Sequence, residues 1–306
     1  MKRQVHMLSV SRLRILRELH RLGTLAAVAR ALSYTPSAIS QQLAQLEREA
    51  GVTLLEHVGR GVRLTAEAQR LVEHTEAVLA RLELAESELA GAHPATQGVL
   101  RVASFPSVVL SLIPRALTML AASHPELVVE VTQREVEPAY AGLLAHDFDV
   151  ILGEEYPGFP DAIVDGVDRA DLVEDTLRLA HPSSGPFADA TRLEQLADAP
   201  WTLDPIDTAL GRWALAVCRA AGFEPRVRFE SPDPLLHAHL VRTGHAVAFL
   251  PELIAAQHLG DARLLPLPGA PTRTLYTAVR TGRLRHPAIV AFRDALAEAA
   301  RQEKAG

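Results

Sequence analysis

The chain has 306 residues, a net charge of −6 and 48% hydrophobic residues. That is enough for two or three domains, with the composition of an ordinary globular protein. No run of 18 apolar residues occurs, so no membrane contact or transmembrane helix is expected, and the start is too amphipathic for a secretory leader. One cysteine, Cys218, excludes an internal disulfide framework and fits a reducing cytoplasm.

The charge is unevenly spread. Residues 1–65 hold ten Lys/Arg against four acids, a net +6, so the remainder carries −12. A basic head on an acidic body suits a head that meets phosphate and a body that does not. In the head, Leu13, Leu16 and Leu19 share one face of a predicted helix from Val10 to Leu22, closed by Gly23. A second helix fits Leu25 to Leu32, with small alanines that allow close helix packing. After a turn at Ser33 to Thr35, Thr35 as N-cap and Pro36 at the first position start a third helix running to about Ala50. Ile39, Leu43 and Leu46 face its core side. Ser37, Ser40, Gln41 and Arg48 are left outward, and hydroxyls and amides so placed can bond base edges or phosphates. Two short apolar strands flank Gly59-Arg60-Gly61, a hairpin wing that offers Arg60 and Arg63 to phosphate or the minor groove.

Thr65 caps a long helix from Ala66 to about Ala90. From Leu64 through Ala68, Leu71, Thr75, Val78, Leu82, Ala85 and Leu89 the spacing alternates 4 and 3, an unbroken heptad seam. Such a seam on a charged helix favours pairing between chains over packing on its own body; Leu71, Val78, Leu82 and Leu89 are the expected dimer contacts. Residues 91–98 read as a hinge.

Beyond the hinge, strands and helices alternate, which predicts an α/β fold with a largely parallel sheet. Strands fit 99–103, 127–132, 148–152, 177–180, 201–203, 246–250 and 274–279. Helices fit after Pro106 (kinked or restarted at Pro114), 140–146, 208–221, after Asp233, after Pro251, and 288–301. Ligands bind beyond the carboxyl ends of strands in such sheets. Those ends point to Ser104, Phe105, Ser107, Gln133, Glu135, Glu154, Glu155, Asp204 and Asp207, with Phe249 near a second crossing. Ser104 and Ser107 precede a helix start and could hold a carboxylate, while Glu135, Glu154 and Asp204 could hold a cation. An amino acid combines both.

The sequence offers no HExxH, GxSxG, GxxxxGK[ST] or CxxC motif, so no enzyme, metal or cofactor is expected. Cys218 reads as a small buried hydrophobe and the scattered histidines as surface residues.

Residues 26–32, 35–43, 46–47, 49–52 and 59–65 together closely resemble the winged helix-turn-helix of LysR-type transcriptional regulators. Leu55, His57 and Gln69 depart from the usual pattern, and His57 removes a permanent cation beside the wing. Weaker likenesses at 98–103, 148–152, 221–225 and 247–251 extend the resemblance over the body. The resemblance implies a winged helix-turn-helix at 7–65, a dimerising linker helix at 66–91 and a periplasmic-binding-protein type II-like effector domain at 97–306. Its subdomains would be 97–168 with 268–306, and 169–267, joined by crossings near 165–170 and 265–270. It further implies promoter DNA as partner, read by Arg30, Thr35, Pro36, Ser37, Ser40, Gln41, Gln42, Arg60 and Arg63. The assembly would be a homodimer of antiparallel linker helices that builds a homotetramer and bends DNA, with RNA polymerase a further candidate partner.

Overall fold

A computed structural model of the chain describes residues 7–59, 61–93, 95–160 and 163–305. Helix α1 (Val10–Leu22) ends at Gly23, whose left-handed backbone (φ 73°) frees an N–H to bond the Leu19 carbonyl. Thr24 caps α2 (Leu25–Ala31) and Thr35 caps α3 (Pro36–Ala50), each hydroxyl accepting from the amide three residues on. Leu16, Leu19, Ile39, Leu43 and Leu46 are buried in the head's core, each contributing about 1.5–3 kcal/mol. Strands β1 (Leu55–Val58) and β2 (Gly61–Leu64) pair antiparallel from Leu55 opposite Leu64 to Val58 opposite Gly61. The wing's turn is therefore two residues long, one shorter than the sequence suggested, and Gly59 (φ 58°) supplies its positive φ. Glu47 fastens the wing to α3: one carboxylate oxygen accepts from the Leu54 and Leu55 amides at 2.8 and 3.1 Å.

Thr65 caps α4 (Ala66–Gly91) through the Ala68 amide, and its hydroxyl also reaches the Thr53 carbonyl. The seam has two fates. Ala68 and Leu71, with the off-seam Val72, pack into the head's own core, and Thr75 is buried with its hydroxyl on the Leu71 carbonyl. Val78, Leu82 and Leu89 are exposed. Leu71 is thus already partly buried within its own chain, unlike the other three expected dimer contacts.

Residues 1–89 with 281–283 form one compact unit, and 90–280 with 284–306 form the second. In the second, β3 (Gly98–Ser104) leads to α5 (Pro106–Ser111) and α6 (Ile113–Ser123), separated at Leu112 just before Pro114. Next come β4 (Leu127–Gln133), α7 (Val136–Ala145), β5 (Val150–Glu155), β6 (Val167–His181), β7 (Pro200–Leu203) and α8 (Ala209–Ala220). The chain continues through β8 (Arg226–Glu230), α9 (Pro234–Arg242), β9 (Ala248–Pro251), α10 (Glu252–His258), β10 (Arg263–Pro266), β11 (Thr272–Arg280) and α11 (Pro287–Ala305).

The sheet is mixed rather than largely parallel. β3 runs parallel to β4 and β5, but β11 is antiparallel to both β5 and β6, and β9 and β10 are antiparallel to β6. The cause is the crossing strands. β6 is a single strand of 15 residues that pairs with β11 over 167–176 and with β9 and β10 over 177–181. The sequence suggested two features there, a crossing and a four-residue strand. Each lobe is a set of co-directional strands into which one long antiparallel strand is inserted: β11 in the first lobe, β6 in the second. Apolar side chains of β3, β5, α6 and α11 fill the first lobe's core. Trp201, Trp213, Phe249 and Cys218 anchor the second. Strands β8 and β10 were not anticipated, although β8, Arg226-Val-Arg-Phe-Glu230, alternates polar and apolar residues as a strand does; all five are exposed.

Candidate functional site

On the head, Ser37, Ser40, Gln41 and Arg48 lie exposed along α3, opposite the buried Ile39, Leu43 and Leu46. Thr35 and Pro36 are exposed at its start, and the Thr35 hydroxyl is shared between the Ala38 amide and Ser37. Arg30 is exposed at the end of α2. Gln42 is half-buried and accepts from Arg12 at 3.4 Å, so its amide holds α1 against α3. Arg12 is further fixed by Glu49. Arg63 on the wing is 70% exposed and pairs with the half-exposed Glu56 at 2.8 Å; a pair this wet is weak and open to exchange for phosphate. Arg60 lies outside the described residues. Behind this face Glu18 is buried between Arg17 and Arg21. Burial alone would raise its carboxyl, but the hydrogen bonds of the two arginines prevail and hold it below the ordinary range.

The body's cleft is built where the carboxyl ends of β3, β5, β7 and β9 converge. Phe105 and Ser107 follow β3, Glu154 lies at the end of β5, Asp204 follows β7 and Phe249 lies on β9; these residues, with Glu135, Tyr156, His237 and Arg273, line one small cavity of about 30 Å³. Gly211 brings α8 under the Asp204 loop: a Cβ there would stand 2.2 Å from the Pro205 carbonyl oxygen and 2.7 Å from that of Asp204.

Arg273 organises the floor. It is 2% exposed, and each of its three nitrogens donates a hydrogen bond. Nε and Nη2 bond Asp175 at 3.0 and 2.7 Å, Nη2 also reaches the Ser107 hydroxyl at 2.8 Å, and Nη1 bonds Glu154 at 2.5 Å. The Tyr156 hydroxyl donates to the same Glu154 oxygen at 2.9 Å. Facing this floor, Asp204 is pushed up to about 8, first by burial and then by Glu154 and Glu135. Glu135 is exposed at the rim and is raised by partial desolvation and by Glu154. His237 lies 3.7 Å from Asp204 through Nδ1 and is lowered to about 4, chiefly by burial, so it is neutral at pH 7.

The N-terminal unit thus carries an exposed polar helix and a wing, and the second unit encloses a polar cleft between two lobes. Residues 10–69 match the bacterial regulatory helix-turn-helix protein family of the lysR type, and residues 93–301 match the LysR substrate binding domain. The chain belongs to the LysR family of transcriptional regulators. Over 238 residues it is 28% identical to the HTH-type transcriptional regulator TcbR of Pseudomonas sp. (strain P51), covering 76% of this chain and 79% of that protein. Over 222 residues it is 26% identical to the transcriptional dual regulator GltC of Bacillus subtilis, covering 72% and 73%. A full-length OxyR variant from Pseudomonas aeruginosa shares the fold with a TM-score of 0.68, at 20% identity over 97% of both chains. CbnR, solved in complex with its target DNA, gives 0.54 at 24% identity, covering 96% of this chain and all of that one.

The regulator's cleft differs in detail from the sequence expectation. Phe105, Ser107, Glu135, Glu154, Asp204 and Phe249 line it, but Ser104 and Gln133 do not. Ser104 is fully buried, its nearest bond a long one to the Phe105 carbonyl, and Gln133 is exposed at the end of β4. Of the remaining acids, Glu155 turns to Arg169 at 2.6 Å, and Asp207 is exposed off the cleft. Sequence reading missed Arg273, Tyr156 and His237. Arg273 meets Asp175 and Glu154 across 98 and 119 residues of chain, and nothing local distinguishes it from a solvated strand arginine. His237 and His181 are buried, against the expectation that histidines lie on the surface.

Proposed function

We propose that this LysR-type regulator binds promoter DNA through α3 and the wing and is controlled by a small molecule whose cationic nitrogen lies in the cleft. Three carboxyl groups, Glu135, Glu154 and Asp204, face a single guanidinium already neutralised by Asp175; this observation carries the reading. An amino acid is one molecule with such a group. Ser37, Ser40 and Gln41 read base edges, and Arg30, Arg60 and Arg63 hold phosphates, with Thr35 and Pro36 setting the helix start and Gln42 bracing it. Residues 7–65 act as the reader, 66–91 as the linker and 97–306 as the effector domain, with lobes at 97–168 plus 268–306 and 169–267.

The exposed Val78, Leu82 and Leu89 pair two copies along α4, with Leu71 extending the seam, and dimers assemble to a homotetramer on a two-fold operator. Its task is regulation rather than catalysis, it works in the cytoplasm, and RNA polymerase is its downstream partner. Among the described residues no helix is long and apolar enough to cross a membrane. Effector control follows from differential affinity for two arrangements of the assembly. The test is to sequence DNA captured by the full-length protein, then measure its affinity for that operator with and without a panel of cationic small molecules. A shift in affinity or DNA bend with one of them is expected; indifference to all of them overturns control by a cation.

A further inference from the structure

Resting on that reading of the cleft, we infer that its ligand is an alkyl amine or guanidine without a carboxylate, rather than an α-amino acid. The guanidinium of Arg273 is held by Asp175, Glu154 and Ser107 through four hydrogen bonds and is ion-paired to both carboxylates, so an incoming carboxylate finds no uncompensated cation among the described lining residues. To win Arg273 it must break a buried pair, which leaves a carboxylate uncompensated and is strongly unfavourable. Of the two hydroxyls expected to hold an anion, Ser107 accepts from the same guanidinium and keeps a single O–H to offer, and Ser104 lies off the lining.

Acceptors, in contrast, are in surplus. Among the described lining residues Asp204 meets only the neutral His237, and no lysine or arginine pairs with Glu135. A second, independent observation is His237: it lines the cleft, is 2% exposed, and its Nε2 has no hydrogen-bond partner. A buried polar atom without a partner is costly in a folded chain. As a neutral imidazole that bonds the Ser231 backbone, His237 offers this nitrogen as an acceptor. Two carboxylates and an imidazole lone pair ask for a group with several N–H donors and a positive charge. Phe105, Leu210, Phe249 and Leu250 supply apolar wall for an alkyl chain. The raised carboxyl of Asp204 agrees with an acid waiting for a cation, and its ionisation on binding releases a proton.

Agmatine and arginine separate the two classes, since they share a guanidinium and chain and differ by one carboxylate. Calorimetric titration of the full-length protein is expected to show agmatine binding at least roughly tenfold more tightly than arginine. Two buffers of different ionisation heat should reveal proton release. Glu135→Gln at the exposed rim and Asp204→Asn should each weaken agmatine at least roughly tenfold with the unliganded circular dichroism spectrum unchanged. Arginine binding as tightly as agmatine, or more tightly, overturns the inference and leaves a cation-binding cleft intact. Failure of agmatine, putrescine and arginine alike overturns both the inference and the reading beneath it.

Discussion

The recognition face and the cleft handle polar groups in opposite ways. On α3, Ser37, Ser40 and Gln41 are exposed and backed by a leucine and isoleucine core, so each can be replaced at little cost to the fold. In the cleft the polar groups are the fold: Arg273 is 2% exposed and joins β11 to β5, β6 and α5. A DNA-reading surface must exchange its water for phosphate and bases, and so stays wet. An effector site must change the protein when filled, and so is wired into the strands that cross between lobes.

That contrast breaks most visibly at Arg273. Arg273→Met leaves Asp175 and Glu154 without their cation, and loss of one partner from a buried pair costs about 3–5 kcal/mol. Urea unfolding should show the loss, whereas Arg63→Ala should leave the unfolding midpoint within experimental error. Equal stability of the two variants would erase the distinction between a structural and a surface arginine.

Asp204 sharpens the comparison through pH. Its carboxyl rises from 3.8 to about 8 in the folded chain, so the folded state holds that proton more tightly than the unfolded state. Its contribution is therefore full below pH 3.8 and is lost progressively as pH rises through 8. Asp204→Asn removes this liability. The variant should gain roughly 2–4 kcal/mol at pH 8, and the gain should fade toward pH 4. A gain independent of pH would mean that Asp204 is not the group being relieved.

How much of each region could be read in advance follows from the same difference. The head is made of local signals: Thr35 before Pro36, glycines at 23 and 51, and apolar spacing in α3 specify helices within a few residues. The long helix and its cap at Thr65 were equally plain. In the body, strand ends located Glu154, Asp204 and Phe249, because carboxyl ends converge in any such sheet. They could not locate Arg273 or His237, whose burial depends on strands and helices distant in the chain. The mixed sheet stayed hidden for the same reason: a crossing that runs straight through two lobes carries no turn residue to announce it.

On the DNA side, Gln41→Ala is expected to cost about 1–3 kcal/mol on the preferred operator and to relax preference at one base position. Arg63→Ala should weaken all sequences alike and reduce the salt slope by about one. Binding titrations at several salt concentrations, on the operator and on a scrambled duplex, separate the two. If Gln41→Ala loses affinity equally on both duplexes, α3 is positioning the protein and not reading it.

The smallest effect concerns Cys218, and it tests whether burial alone marks a functional group. Cys218 and Asp204 are both raised by desolvation, the thiol to about 12 and the carboxyl to about 8. The surroundings differ. Cys218 is fully buried on α8 in the second lobe's core, beside Trp201 and Trp213, whereas Asp204 faces the cleft. A thiol in an apolar core lacks the thiolate character needed for reaction and behaves as a small hydrophobe. Native protein should therefore resist a thiol-labelling reagent until unfolded, and Cys218→Ala should cost only about 1 kcal/mol. Its DNA affinity and its response to agmatine should match the parent chain. Rapid labelling in the folded state, or altered agmatine binding in this variant, would show that the second lobe opens to its core when the cleft is used, and that the boundary between core and site lies deeper than Asp204.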